Sequence, residues 1–174
     1  MSLIDLAILG FLKRKSMSAY ELAKFVEFIR MKKWMKIGSP TIYQNIKKLA
    51  ANEYLSTETV KEGNMPEKVI YSLTESGEDY FLALMERFSE KPGKIYFGFN
   101  TFIINLHLVD KDTGLEMLNN LQQFFYNGQQ DLERDMAELQ DAPLGAKALM
   151  KQYQIVFDGM IQWIEELIKE YQAE

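Results

Sequence analysis

Apolar positions along the chain change their spacing several times, and each change predicts an element. Leu3, Ile4, Leu6, Ala7, Ile8, Leu9, Phe11 and Leu12 cover most of a helical circumference, which predicts a first helix over 3–13 buried nearly all round. "SAYE" follows, where Ser18 can cap the amide of Glu21 while Glu21 reaches back, a capping box. It opens a second helix running to about Met31 with Leu22, Phe25, Val26 and Ile29 inward. "SPTIYQNIKKLAANEYL" predicts a third helix from Ser39, with Ser39 as N-cap and Pro40 at the first helical position. Its stripe of Ile42, Ile46 and Leu49 faces inward. Gln44, Lys47 and Lys48 fall on the opposite side, flanked by Thr41 and Tyr43.

The period then shortens. "YLSTETV" and "KVIYSL" are β-branched and aromatic runs around "KEGNMPE", a two-stranded hairpin with Leu55, Val69, Tyr71 and Leu73 inward. "TESGEDYF" opens a fourth helix capped by Thr74, with Phe81, Leu84 and Phe88 inward, and "EKPGK" ends it. That break divides the chain into residues 1–90 and 95–174. The second part reads as all-helical. "FGFNTFIINLHLV" forms a short apolar helix, and 113–141 a long one carrying Gly128, a glycine tolerated where another backbone comes close. The last helix, 144–172, has two apolar stripes: Leu149, Tyr153, Val156, Met160, Trp163, Leu167, and Phe157, Ile161, Ile164, Ile168. Together they are wider than one partner helix covers, which predicts a two-fold homodimer built on this helix.

Charge sharpens the picture. The net charge of −5 conceals ten basic and two acidic residues within 11–48. Such a local patch favours nucleic acid despite the acidic total. A solvated basic face is the plain alternative. No apolar run reaches membrane-spanning length, and the basic residues follow the first apolar run instead of preceding it, unlike a secretion signal. Cysteine is absent, and a cytoplasmic location is the expectation. A metal site is not expected, since His107 is the single histidine, and no cofactor is implied. Asp131, Glu133, Asp135 and Glu138 read as the exposed side of a long helix, and Trp34 as packing under a loop. No phosphate-binding glycine loop or nucleophile elbow is present, so an enzyme is not expected.

Three helices, a hairpin and another helix are the order of a winged helix-turn-helix domain, whose third helix would enter the DNA major groove. Lys61, Asn64 and Lys68 lie near the hairpin tip, within reach of the neighbouring backbone or minor groove. "SAYEL", "PTIYQNIKKL" and "PEKVIYSLTESGEDYF" resemble the PadR family of transcriptional regulators. The layout of the C-terminal half is similar to that family's helical dimerisation region. The resemblance implies a mostly α (α+β) fold, with a winged helix-turn-helix domain bearing a two-stranded wing and a C-terminal helical dimerisation domain. It also implies a homodimer on a palindromic operator of double-stranded DNA, often as a repressor. On that resemblance, Tyr20, Ser39, Thr41, Tyr43 and Lys47 sit at the DNA face. Pro40 stands where many members have glycine, and Glu67 where a basic wing residue is common. The rival reading is a winged-helix module for protein–protein contact without DNA binding. A small-molecule effector is left open. Phe157 and Trp163 are the residues that would line its pocket, although core packing is the commoner role for such rings.

Overall fold

A computed structural model describes residues 2–29, 38–61, 66–137 and 141–173. The chain divides into two units, Met1–Ile95 and Tyr96–Glu174. The first contains α1 (Leu3–Arg14), α2 (Ala19–Phe28), α3 (Ser39–Ala51), α4 (Glu75–Glu90) and a small antiparallel sheet. The hairpin is β2 (Leu55–Val60) and β3 (Lys68–Leu73), in register from Leu55 opposite Leu73 to Val60 opposite Lys68. A third strand, β1 (Met17–Ser18), pairs with β3 and gives the order β1-β3-β2. The sequence reading did not include this strand. Two residues are too few to show an alternating pattern.

Ile8, Leu9, Leu12, Leu22, Ala23, Val26, Ile42, Ile46, Leu49, Leu55 and Leu84 form the core of this unit. Inward expectations hold for all of these that the sequence reading named, and fail in four places. Leu3 is exposed at the start of α1. Phe25 and Ile29 lie on the edge of the α2 stripe and are partly exposed, with Phe25 packed edge-on against Phe11 at 5.2 Å. Val69, near the hairpin end of β3, is 40% exposed.

Two caps form as the sequence indicates. Glu21 N–H donates to Ser18 Oγ at 3.2 Å and Ser18 N–H donates to the Glu21 carboxylate at 2.7 Å. Gly77 N–H donates to Thr74 Oγ1 at 3.0 Å. The cap of α3 shifts by one residue. Gly38 is its N-cap, without a side-chain bond, and Ser39 is the first helical residue.

The end of α3 explains the "LTESG" signature. Tyr54 N–H donates to Leu49 O and Glu53 N–H to Ala50 O, both at 3.0 Å, a Schellman closure with Glu53 at φ 60°. The outward-turned Glu53 carbonyl accepts from Thr74 Oγ1 at 2.8 Å and Ser76 Oγ at 3.0 Å. α4 approaches this corner so closely that a Cβ on Gly77 would lie 2.1 Å from the Tyr54 carbonyl oxygen. Glycine is therefore required there on steric grounds.

In the second unit, α5 (Asn100–Ile104) is followed by a 3₁₀ turn at Leu106–Leu108, so the predicted short helix is broken at Asn105. α6 (Lys111–Ala137) and α7 (Leu144–Ala173) form an antiparallel pair. Gln129 bonds to Asp158 at 2.7 Å near the turn end, and Lys111 to the Gln172 carbonyl at 2.9 Å at the other. Leu106, Leu118, Phe125, Ile164 and Ile168 form the core. Gly128 makes room for the Phe157 ring, 2.5 Å from where its Cβ would stand, not for a second backbone as the sequence suggested. Asp135 is buried, against the expectation of an exposed acidic face, while Asp131 pairs with Arg134 on the same helix.

Candidate nucleic-acid interface

The candidate interface is built on α3. Ile42, Ile46 and Leu49 are fully buried, which fixes the helix's rotation about its axis. That rotation leaves Tyr43, Gln44, Lys47 and Lys48 exposed and Ser39 and Thr41 half-buried. Asn45, whose amide donates to the Thr41 carbonyl at 2.8 Å, stiffens the first two turns. Ser39 Oγ donates to the Glu27 carboxylate of α2, a pairing across the helix-turn-helix. The first turn offers few free amides to an anion. Pro40 has no N–H, while Thr41 N–H and Ile42 N–H both donate to the Gly38 carbonyl, at 3.0 and 3.2 Å. An anion at this end of α3 would therefore meet side chains more than backbone amides.

Around α3 the basic residues are not equally available. Lys47 is exposed. The Lys48 ammonium lies 3.8 Å from the carboxylate of Asp5, a buried residue of α1. Lys13 pairs with Glu78 at 2.9 Å. On the hairpin, Lys61 is exposed, whereas Lys68 is half-buried and pairs with Glu21 at 3.7 Å, tying the base of the wing to the start of α2. Ser18's backbone and side-chain bonds, ahead of its lysine neighbours, hold the Glu21 carboxyl below its ordinary range. Tyr20 is exposed beside this junction with the Lys24 ammonium 5.0 Å from its ring centroid, a cation–π contact on the surface of α2. Asn64 and Trp34 lie outside the described residues.

The sequence reading passed over three residues here. Asp5 carried a signal, as the one charge in an otherwise apolar helix face. Glu27 and Lys24 carried none beyond their presence on an exposed helix face.

Residues named for a dimer face divide by burial. Ile164 and Ile168 are buried within the second unit against α6, so they serve the intramolecular core and are unavailable to a partner as they stand. Trp163 packs near Phe99, with ring centroids 5.7 Å apart, and Phe157 fills the notch at Gly128. Leu149, Tyr153, Met160, Ile161 and Leu167 are half-buried, and Val156 is exposed. Ile155 and Phe124, which the two stripes did not include, are more exposed than any of these. Among the described residues no cluster of His, Asp and Glu is arranged to hold a metal ion, and no helix is long and apolar enough to cross a membrane. His107 is exposed, with Nδ1 3.0 Å from the Ile104 carbonyl.

Residues 8–83 match the model of the Transcriptional regulator PadR-like family. No curated protein matches the sequence at a significant level. Among solved structures, Bacillus subtilis PadR in complex with operator DNA superposes with a TM-score of 0.83 at 18% identity, covering 98% of this chain and 99% of that one. The PadR-like transcriptional regulator BC1756 from Bacillus cereus gives 0.70 at 15% identity, with 98% of each chain covered. The Vibrio cholerae virulence activator AphA gives 0.73 at 14% identity, again over 98% of each chain. At such identities the likeness is one of fold, and it extends through both units. Residues 8–83 are thus similar to the PadR-like family of transcriptional regulators, and the fold is shared nearly end to end with Bacillus subtilis PadR.

Proposed function

We propose that the protein is a non-enzymatic, sequence-specific DNA-binding regulator that acts in the cytoplasm as a homodimer. The observation that carries this reading is the two-sidedness of α3: one side wholly buried, the other presenting Tyr43, Gln44 and Lys47 from a helix-turn-helix. A helix of this kind fits the major groove. Amide side chains such as Gln44 read base edges, and lysines such as Lys47 meet phosphates. Bacillus subtilis PadR, a structural neighbour solved in complex with operator DNA, lends support. The dimer rests on exposed apolar residues of the second unit, Phe124, Ile155 and Val156, which water disfavours. A two-fold axis would present two copies of α3 to an inverted repeat with half-sites about one DNA turn apart. Blocking transcription from such an operator is the simplest consequence, so a repressor role is proposed, although AphA is named an activator.

Selection of bound duplexes from a random pool, followed by titration of the selected duplex against salt, tests the reading. It predicts enrichment of a palindrome and a steep fall of affinity with salt. An unenriched pool, with no salt-dependent binding, would instead favour the protein–protein module.

A further inference from the structure

Asp5 is a carboxylate in an apolar core. Its side chain is 1% exposed, and Oδ1 has no hydrogen-bond partner. Oδ2 accepts a long bond of 3.4 Å from the Tyr80 hydroxyl of α4 and faces Lys48 Nζ of α3 at 3.8 Å. Burial, then the adjacent Asp5 charge, holds the Tyr80 phenol above its ordinary value. Tyr80 also stacks on Tyr54, at 4.3 Å and 15°, and Tyr54 closes the end of α3. Asp5 therefore joins three helices at one point, with Lys48 as its counter-ion. The Lys48 side chain is 59% exposed, so the pair joins a solvent-facing lysine to a buried carboxylate. A buried charge whose partner is removed costs far more than an exposed pair contributes.

We propose that Lys48 serves DNA recognition as a positioning residue, anchoring α3 to α1 and α4 through Asp5, and not as a phosphate contact. This role rests on the DNA-binding reading above. The two functions of a lysine on this face separate experimentally. A phosphate contact is lost whenever the lysine is lost, whereas an anchor is needed only while the buried carboxylate is charged.

The test measures thermal midpoint and duplex affinity across salt for the full-length parent, Lys48→Met and Asp5→Asn/Lys48→Met. Lys48→Met should lower the midpoint and weaken binding on the order of tenfold, with the log–log salt slope of the parent retained. The double variant should recover both, within about threefold of parental affinity, a coupling that independent sites do not show. Its recovery also guards against misreading a poorly folded single variant. A double variant that binds no better than Lys48→Met, with a slope lower by about one, would overturn the anchoring role and make Lys48 a phosphate contact. A parent without salt-dependent duplex binding would overturn the DNA reading itself and this role with it, while the midpoints would still report the ion pair.

Discussion

Replacing Gly77 with alanine adds a single methyl group at the most crowded of the described glycines of the winged-helix unit. Its Cβ would stand 2.1 Å from the Tyr54 carbonyl oxygen, 3.0 Å from the carbonyl carbon and 3.2 Å from Leu73 Cδ1. The nearest atoms are backbone and cannot swing aside, so α4 must retreat by about 1 Å to reach van der Waals contact. That retreat stretches three bonds to the corner: Thr74 Oγ1 and Ser76 Oγ to the Glu53 carbonyl, and Thr74 N–H to the Tyr54 carbonyl. Overpacking of this kind costs roughly 1–3 kcal/mol. Each weakened bond adds up to about 1 kcal/mol, and the better helix propensity of alanine returns about 1 kcal/mol. The net is a destabilisation of roughly 2–4 kcal/mol, which lowers the midpoint of a unit this size by on the order of 10 °C or more. Thermal and urea unfolding followed by circular dichroism measures it, with Gly145→Ala as control because nothing lies within 4 Å of that Cβ. Gly114→Ala should cost less, since the Tyr171 hydroxyl in its way is the tip of a side chain. A Gly77→Ala midpoint within about 2 °C of the parent would refute the steric account of the "LTESG" corner.

Glu53→Gly should act oppositely, raising stability by about 0.5–1 kcal/mol by relieving a side chain held at φ 60°, and an unchanged urea midpoint would count against strain there. Because the Glu21 carboxyl is held below its ordinary value of 4.5, its stabilising contribution is complete above about pH 5 and is lost as pH falls through the lowered value. Glu21→Gln should therefore flatten the acid limb of a stability–pH profile, and an unaltered limb would contradict that linkage. Ile164→Asp should unfold the α6–α7 pair itself, whereas Ile155→Asp should leave far-UV dichroism intact and shift mass in solution from dimer to monomer. A dimeric Ile155→Asp would remove that residue from the proposed interface.

Much of the fold was legible because its signals are local. The capping box at Ser18, the Thr74 cap and the Ile42–Ile46–Leu49 stripe each depend on residues a few positions apart. What escaped depends on partners distant in sequence. β1 is defined only by pairing with β3, and Asp135 is buried although its helix neighbours are charged. Ile164 was assigned outward because the width of the apolar face of α7 was visible, while the share of it taken by α6 was not. The same holds for the candidate interface. The exposed face of α3 could be read from its period, but the engagement of Lys48 with Asp5 and of Lys68 with Glu21 required the packed structure.

The central claim is that the polar face of α3 meets DNA, and Lys47 tests it most directly because it is exposed on that face. The measurement is duplex affinity over a series of salt concentrations for the parent, Lys47→Ala and Gln44→Ala. Lys47→Ala should weaken binding to all duplexes alike and flatten the log–log salt slope by about one, while Gln44→Ala should keep the slope and change which sequence is preferred. Parental affinity, slope and sequence preference in both variants would contradict the placement of α3 on DNA.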